Sequence, residues 1–366
     1  MKRLSILFLI DGLGGGGAEK VVLTLADAMS VQGHDVAIIS LRDEQVYPAP
    51  DGVDLMLVED RYRGPFHRQT EIRRRARQLD RLLKPYFSQR AFDLIISNLA
   101  KTDRIVAASE YLQKAWMCLH GAVASVELQR KRGIVRWFKR KQLQQTYNGR
   151  RLITVSNGLQ QDLTECGGVR PARMVAIPNP FDLALIRRLS HGSCPLQGER
   201  FLIHVGRFRR EKRHDRLLEA FRLSGYPGNL VLLGVGTKEE NKELYRLCRR
   251  FGIDERVLFC EFTVNPYPYL RAAEALVVSS DYEGFGNVLV EALACGTTVV
   301  STDCPYGPRD ILTGDLARGL CDLSAESLAA RLNDVLACPP RVVPGQLDRF
   351  SIKNVVARYL DLADSE

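Results

Sequence analysis

Residues 281–296 read DYEGFGNVLVEALACG, and they follow an apolar run, Ala275–Val278, that is typical of a buried parallel strand. Gly296 is a natural helix terminator, so the segment predicts a strand, a glycine-containing turn and a helix. Glu283 is then expected on the turn, and Glu291 about two helical turns further along. A parallel strand that feeds such a turn and helix is the building block of an α/β fold.

The glycine-containing turn has the properties of an anion site. Gly284 and Gly286 let backbone N–H groups approach a ligand, and a helix that starts near Asn287 directs its positive end toward the turn. We therefore expect a phosphate there. The two glutamates, which lie eight residues apart, offer hydrogen-bond acceptors to hydroxyl groups of the same ligand. A phosphate flanked by hydroxyl groups describes a nucleotide sugar.

Length and periodicity predict two domains. The chain has 366 residues, more than one core usually serves. Apolar strands alternate with helical patterns, among them a helix over 103–113, and the alternation breaks near Asp182 before it restarts at Phe201. We predict two Rossmann-like, doubly wound α/β domains that face each other across a cleft. The expected parts are an acceptor-side domain (1–182), a nucleotide-sugar domain (183–350) and a terminal helix that returns to the first domain (351–366).

Cysteine usage and hydropathy predict a cytoplasmic protein. The nine cysteines include no C-x-x-C pair and several lie in apolar patterns, so we expect reduced packing residues. There is no run of 18 apolar residues, and the first ten residues lead into Asp11 and glycines without a cleavage-like site. We expect them to form the first strand.

The positive charge is concentrated in the first domain. The formal net charge is +9, and residues 61–151 contain 22 Lys and Arg against six Asp and Glu. A helix near 133–147 would place aromatic and aliphatic side chains opposite basic ones. A membrane-surface or anionic-acceptor patch and an ordinary solvated helix both explain this pattern, whereas no recognised nucleic-acid module accompanies the charge. The candidate patch consists of Arg130, Lys131, Arg132, Lys139, Arg140 and Lys141.

A second glycine-rich segment, Gly12–Gly17, follows the first predicted strand. It matches the dinucleotide pattern by letter, but the second strand ends in Ser40-Leu41-Arg42 without the acidic residue that a nicotinamide site requires. The glycines allow a turn into a helix whose amino terminus faces a phosphate or a sugar. A flexible turn without a ligand is the alternative.

Cations follow the first strand of the second domain. Arg207 and Lys212 come after His204-Val205-Gly206, at the sheet edge where Glu283 is also expected. Two cations beside a glycine turn neutralise a diphosphate without a metal. Arg209, Arg210 and Arg213 lie nearby, and surface charges are the alternative interpretation for them, whereas the position after the strand favours Arg207 and Lys212. Since no Asp-x-Asp motif and no histidine cluster occurs, we expect neither a metal nor another cofactor.

His120 ends a predicted strand in the first domain and precedes Gly121. A lone histidine is usually structural. With a phosphate site expected in the other domain, a functional histidine that projects toward the ligand becomes the favoured interpretation.

Together these residues resemble the retaining glycosyltransferases of family 4, which have the two-domain GT-B architecture. The similarity is carried by Gly14–Glu19, by Val205-Gly206-Arg207 with Glu211-Lys212, and by the E-x7-E spacing of Glu283 and Glu291. Asn265–Tyr269 and Cys304–Asp310 are similar to the branch that builds bacterial lipopolysaccharide, capsule or lipid-linked oligosaccharides.

The resemblance implies a role for each matched residue. Arg207 and Lys212 would bind the donor diphosphate, Glu283 the transferred sugar, and Glu291 the ribose. The implied catalytic residues are His120, Arg207, Lys212 and Glu283. The implied donor-binding residues are Gly16, Gly17, Gly206, Arg207, Lys212, Glu283, Gly284, Phe285, Gly286, Asn287 and Glu291.

The expected activity is metal-independent transfer of a hexose or N-acetylhexosamine, with retention, from a nucleotide sugar to a membrane-associated glycan acceptor. A UDP-sugar is the expected donor, and a lipid-linked or lipopolysaccharide-type glycan is the expected acceptor. The expected location is the cytoplasmic face of the inner membrane, whose anionic surface is a partner, and nucleic acid is not expected as one. Two alternatives remain, a nucleotide-sugar epimerase or hydrolase and a non-catalytic membrane adaptor.

Overall fold

The computed structural model describes residues 2–14, 16–44, 48–89, 91–129 and 131–364. Two compact units are present. The first contains the residues up to Phe181 together with those from Phe350 onward, and the second is Asp182–Arg349.

The first unit is a parallel sheet covered by helices on both faces. Its strands, in the spatial order β3-β2-β1-β4-β5-β6-β7, are β1 (Ser5–Ile10), β2 (Asp35–Ser40), β3 (Val53–Leu57), β4 (Leu94–Asn98), β5 (Trp116–Leu119), β6 (Arg151–Thr154) and β7 (Arg173–Ala176). Its helices are α1 (Gly17–Val31), α2 (His67–Gln89), α3 (Ala100–Ala107), α4 (Val123–Leu128), α5 (Gly133–Tyr147) and α6 (Asn157–Gln161). The predicted helix over 103–113 is wrong at both ends, because α3 starts at Ala100 and stops at Ala107.

The second unit repeats this plan with a six-stranded parallel sheet in the order β10-β9-β8-β11-β12-β13. The strands are β8 (Phe201–Val205), β9 (Asn229–Leu233), β10 (Val257–Cys260), β11 (Ala275–Val278), β12 (Thr298–Thr302) and β13 (Leu320–Cys321). The helices are α7 (Leu183–Ser190), α8 (His214–Ser224), α9 (Lys238–Phe251), α10 (Tyr267–Ala272), α11 (Asn287–Ala294), α12 (Pro308–Ile311) and α13 (Ala325–Ala337). Each unit has its own core of buried aliphatic and aromatic side chains.

Each sheet has one position where the chain reverses its direction of strand addition. In the first unit the chain adds β2 and β3 on one side of β1 and then returns to place β4 on the other. In the second unit β8 has the same role, with β9 on one side and β11 on the other. Such switch points open a crevice at the carboxyl ends of the strands, where doubly wound folds bind ligands.

The last helix, α14 (Ile352–Leu360), packs in the first unit although it follows the second along the chain. The Phe181 N–H donates to the carbonyl oxygen of Phe350, and the Ile352 N–H donates to that of Phe181. Tyr359 is fully buried, and its hydroxyl lies 3.5 Å from Sγ of Cys118 in β5. The segments that enter and leave the second unit are therefore bonded to each other.

Asp103 of α3 is a carboxylate enclosed in the first core. It accepts hydrogen bonds from the hydroxyls of Ser97 at 2.5 Å and Tyr147 at 2.9 Å. Burial raises the pKa of Asp103 to about 7. The folded chain therefore holds a proton that the unfolded chain releases near pH 4. This contribution to stability is complete below pH 4 and is lost as the pH rises through 7.

We expect Asp103→Asn to flatten the pH dependence of stability between pH 4 and 7. A single group contributes a slope of up to about 1.4 kcal/mol per pH unit, and an amide cannot ionise. Urea unfolding of parent and variant across this range measures the difference. Asp54→Asn, at an exposed position in β3, serves as the control and should leave the slope unchanged. Parallel curves for parent and Asp103→Asn would contradict the assignment.

Candidate functional site

The switch point of the second unit brings together three residues singled out from the sequence. Gly206 follows β8, Lys212 ends a 3-10 turn, and Glu283 lies on the loop after β11. The Lys212 ammonium Nζ lies 2.7 Å from Oε1 of Glu283. The two side chains are 23% and 11% exposed, so water screens their attraction only partly while a ligand can still reach the ammonium.

Glu283 is held in place from two sides. The Ser280 hydroxyl donates to the same Oε1 at 2.6 Å. The backbone N–H of Glu283 donates to the carbonyl oxygen of Pro305 at 3.3 Å. The carboxylate is therefore oriented without a ligand, which is the preorganisation that a binding site needs.

Arg207 supplies a second cation at this edge. The residue is exposed, and its guanidinium forms no hydrogen bond or ion pair with any residue that the structure describes. Lys212, by contrast, is already neutralised by Glu283. An arriving diphosphate therefore meets one unneutralised guanidinium and one ammonium that can exchange a carboxylate for a phosphate.

The turn before α11 has the backbone geometry that its glycines predicted. Gly286 has φ +93°, a left-handed conformation that favours glycine, and it precedes the helix without a side-chain cap. The amino-terminal dipole of α11, which starts at Asn287, favours an anion at this turn. The Phe285 side chain is buried, so it does not contribute a contact surface at this turn.

Glu291 faces α10. Its carboxylate is hydrogen-bonded to the hydroxyl of Tyr267, a buried residue. Burial and this carboxylate together raise the pKa of Tyr267. The contact orients Glu291 toward α10, and no sequence motif paired Tyr267 with Glu291.

Two histidines that received no role from the sequence lie beneath Lys212. His204 Nδ1–H donates to the carbonyl oxygen of Val277 at 2.9 Å, and the rings of His204 and His214 meet edge to face at 4.8 Å. Burial lowers the pKa of His204 to about 4. Burial, together with the nearby His204 and Lys212, lowers the pKa of His214 to about 2. Both rings are neutral at physiological pH, so the positive charge of the site resides on Lys212 and Arg207.

In the first unit, His120 follows β5 and bonds to the end of β4. Its Nε2 lies 2.9 Å from Oδ1 of Asn98, whose amide nitrogen donates to the carbonyl oxygens of Leu9 and Ile96. That orientation makes Oδ1 the acceptor, so the proton of the imidazole is on Nε2. Burial lowers the pKa of His120 to about 4. Above that pH the side chain offers a neutral acceptor at Nδ1 and no positive charge.

The glycine loop of the first unit lies at the switch point beside β1. Gly16 precedes α1 and Gly17 is its first residue, without a side-chain cap. A Cβ at Gly16 would meet only the flexible carboxylate of Glu19. The Leu13 N–H donates to the carbonyl oxygen of Glu44 at 2.8 Å, which connects the loop to the segment that follows β2. Gly15 lies outside the described residues.

A cavity of about 410 Å³, which no sequence motif predicted, lies at the carboxyl ends of β9 and β10. Its wall includes Gly234–Gly236 and the side chains of Phe208, Tyr245, Phe259 and Phe262. It adjoins the cation site, because a Cβ at Gly234 would collide with the carbonyl oxygen of Gly206. The glycine turn after β9 is the one sequence feature that could have indicated this cavity. The aromatic residues of its wall come from separate elements, so no local pattern contains them.

The residues of the predicted basic patch fall into two groups, those on α5 that contact other side chains or backbone groups and those before α5 that are exposed. Lys139 pairs with Glu127 at 3.0 Å, Arg140 Nε donates to the carbonyl oxygen of Gly167 at 3.2 Å, and Lys141 lies 5.0 Å from the ring centre of Trp137. Lys131 and Arg132 are exposed before the helix. Arg130 lies outside the described residues.

The outward surface of α5 carries four exposed apolar side chains. Ile134 is 70% exposed, Val135 50%, Trp137 53% and Phe138 60%. We call these four residues the α5 ridge. No helix in the described part of the chain is long and apolar enough to cross a bilayer.

Within the described ranges, no group of three or more His, Cys, Asp and Glu side chains is arranged to hold a metal ion. The expectation of a metal-free reaction stays a prediction.

Two family models match consecutive parts of the chain. The model described as Glycosyltransferase Family 4 matches residues 15–185, and the model described as Glycosyl transferases group 1 matches residues 191–350. The chain belongs to glycosyltransferase family 4. The predicted family and the predicted class of two Rossmann-like domains are thereby confirmed.

Two curated relatives and a solved structure match over most of their length. An N-acetylgalactosaminyltransferase of Campylobacter jejuni that acts on N-acetylgalactosamine-N,N'-diacetylbacillosaminyl-diphospho-undecaprenol is 27% identical over 318 residues, 86% of this chain and 84% of the relative. The amylovoran biosynthesis glycosyltransferase AmsD of Erwinia amylovora is 23% identical over 91% of this chain and 90% of its own. The structure of Anabaena HepE in complex with UDP and glucose aligns over 100% of both chains, with a TM-score of 0.76 and 18% identity. These similarities support the GT-B fold.

Proposed function

We propose that this glycosyltransferase moves a hexose or N-acetylhexosamine, with retention of anomeric configuration, from a UDP-sugar to a membrane-associated glycan. The pathway we infer is the synthesis of bacterial lipopolysaccharide or another surface polysaccharide. The observation that carries the donor assignment is the Lys212–Glu283 pair at a switch point, with Arg207 beside it and the amino terminus of α11 nearby. These groups suit a diphosphate joined to a sugar.

In the proposed reaction, the bond between the anomeric carbon and the diphosphate oxygen breaks, and its electron pair leaves with the diphosphate. Arg207 and Lys212 stabilise that developing charge. The acceptor hydroxyl forms the new bond from the same face, and its proton passes to a phosphate oxygen of the leaving group. Glu283, released from Lys212 by the phosphate, accepts hydrogen bonds from sugar hydroxyls. Glu291 is assigned to the ribose.

The cavity beside Gly234 is the proposed site of the nucleobase. Aromatic side chains such as Phe262, which is 63% exposed, offer a stacking surface. The glycine turn lets the backbone approach the base or the ribose closely. The Anabaena structure, which contains UDP, supports a uridine donor.

The acceptor side of the proposal rests on the first unit. The names of the relatives indicate a glycan on undecaprenyl diphosphate and an exopolysaccharide. The α5 ridge, preceded by Lys131 and Arg132, has the composition of a helix that lies in the membrane interface, with aromatic side chains at the headgroup level and cations beside anionic lipids. We therefore place the enzyme on the anionic cytoplasmic leaflet.

A panel of UDP-, GDP- and ADP-sugars, titrated calorimetrically, tests the donor assignment. We expect a UDP-sugar to bind with saturation, because the cavity and the cations lie at one sheet edge, and free UDP to compete with it. The sugar that gives turnover with an added glycan-lipid identifies the transferred group, and the anomeric proton coupling of the product reports retention. Absence of binding across the whole panel would refute the proposed function.

Transfer should persist in excess EDTA, because two side-chain cations replace a metal at the diphosphate. Product formation with and without chelator, after dialysis against chelator, is the measurement. A requirement for added Mg²⁺ or Mn²⁺ in the transfer step would contradict the cation-based mechanism.

A further inference from the structure

A cluster of four charged residues joins the turn that carries Lys212 to the loop that carries Glu283. Arg213 directly follows Lys212, and Asp281 lies two residues before Glu283. Asp215 and Arg216, from the first turn of α8, complete the set. We call Arg213, Asp215, Arg216 and Asp281 the charge clamp.

Arg213 is the centre of the charge clamp. Its Nε and Nη2 each donate to Asp215 at 2.9 Å, and its Nη1 donates to both oxygens of Asp281 at 3.0 and 3.2 Å. These bonds form although the backbone of Arg213 is left-handed, with φ +49° and ψ +52°. L-residues other than asparagine and aspartate rarely adopt that conformation, which glycine accepts freely, and it persists only where surrounding contacts impose it.

Asp281 receives a second guanidinium. Arg216, which is 94% buried at its side chain, donates to Asp281 at 2.7 Å and to the carbonyl oxygen of Ser279 at 2.7 Å. Two further hydrogen bonds join the same segments. The Asp281 N–H donates to the carbonyl oxygen of Glu211 at 2.8 Å, and the Ser279 hydroxyl donates to the carbonyl oxygen of Lys212 at 2.7 Å. The segment 279–281 is thus bonded to residues on both sides of Lys212.

We propose that Arg213 is a positioning residue, which acts through Asp281 to hold the Lys212 ammonium and the Glu283 carboxylate in register for the donor. The inference rests on the proposed function, in which both groups touch the donor. Arg213 itself is committed to two carboxylates and needs no ligand contact. A shift of the Lys212 turn by about 1 Å would cost catalysis far more than stability, because transfer depends on the alignment of cation and leaving group.

Arg213→Gly is the informative variant, because glycine accepts the left-handed backbone without strain while the whole side chain, with its guanidinium, is removed. Arg213→Ala removes the same group and keeps the backbone strain. We expect Arg213→Gly to lower kcat/KM by about tenfold to a hundredfold, with a melting temperature closer to the parent's than that of Arg213→Ala. Arg246→Ala, which removes an exposed arginine of α9 with an ion pair to Glu243, should leave kcat/KM unchanged.

The decisive comparison is a double-mutant cycle. If Arg213 acts by positioning Lys212, then Arg213→Gly should change kcat/KM less than about twofold once Lys212→Ala is present. A purely structural role would instead reduce kcat/KM by the same factor in both proteins. Equal factors overturn the proposal.

A second cycle separates this proposal from the donor assignment. The coupling between Lys212→Ala and Glu283→Ala in urea unfolding is measured in the parent and in the Arg213→Gly protein. We expect the coupling to fall by at least half when Arg213 is replaced, whether or not any nucleotide sugar binds. Unchanged coupling refutes the positioning role, while loss of coupling in a protein that binds no donor refutes the proposed function alone.

Discussion

Lys212→Ala should lower kcat/KM for sugar transfer by about 100-fold or more. The ammonium is mostly shielded from water and lies at the switch point, where a leaving diphosphate would gather charge. Removing one preorganised cation from such a site costs about 2.7–4 kcal/mol in the transition state. The variant also leaves Glu283 without its cation, so the carboxylate repels the incoming phosphate. Steady-state kinetics with the donor identified by titration measures the effect, and Arg207→Ala should act in the same direction.

The control for this experiment is Lys238→Ala. Lys238 is an exposed lysine at the start of α9 in the same unit, so the change of charge and size is matched while the cation site stays intact. Its kinetics should equal the parent's. A Lys212→Ala protein that is folded by circular dichroism and turns over at the parent's rate would contradict the donor assignment.

Replacing Trp137 and Phe138 by serine should weaken binding to anionic vesicles by about tenfold to several hundredfold. Each ring is more than half exposed and packs edge to face on the other at 4.9 Å. Burying two aromatic side chains in an interface contributes about 1.5–3 kcal/mol each at full burial, and partial burial scales this down. Vesicle co-sedimentation at low and moderate salt is the measurement. Donor affinity should not change, because the cation site belongs to the other unit.

Substituting Trp137 and Phe138 tests membrane binding with less disturbance of the fold than neutralising the adjacent cations. Lys139 and Arg140 are bonded within the first unit, so their loss would disturb the fold as well as the surface. A double variant at Val31 and Leu57, two exposed apolar side chains of the same unit, is the matched control. Equal vesicle binding by the Trp137 and Phe138 variant and the parent would leave α5 as an ordinary solvated helix.

Local patterns predicted the parts of the site that depend on neighbouring residues. Glu283 and its glycines follow one predicted strand, and the cations follow another, β8. Because parallel strands bring their carboxyl ends to the same edge of the sheet, these residues are expected to lie close together. The contact between Lys212 and Glu283 follows from that geometry.

Features that depend on tertiary packing could not be predicted from the sequence. The strand Val53–Leu57 was not predicted, because it is short and only partly buried at the edge of its sheet. The left-handed Arg213 has no sequence signal, since its conformation is imposed by two carboxylates, one of them distant in the chain. His204 and His214 are neutral because the folded core buries them, which no spacing reveals.

The chain leaves the first unit after Phe181 and returns to it at Phe350, which affects the order in which the two units are completed on the ribosome. Residues 182–349 are complete, with every strand of their sheet translated, before α14 emerges. The unit that is begun first is therefore finished last, and until then the place of Tyr359 beside Cys118 is empty. A nascent chain in this interval exposes an apolar surface of its first unit, which is the kind of surface that chaperones recognise. Premature termination just before α14 should then give a product whose second unit is native and whose first unit aggregates.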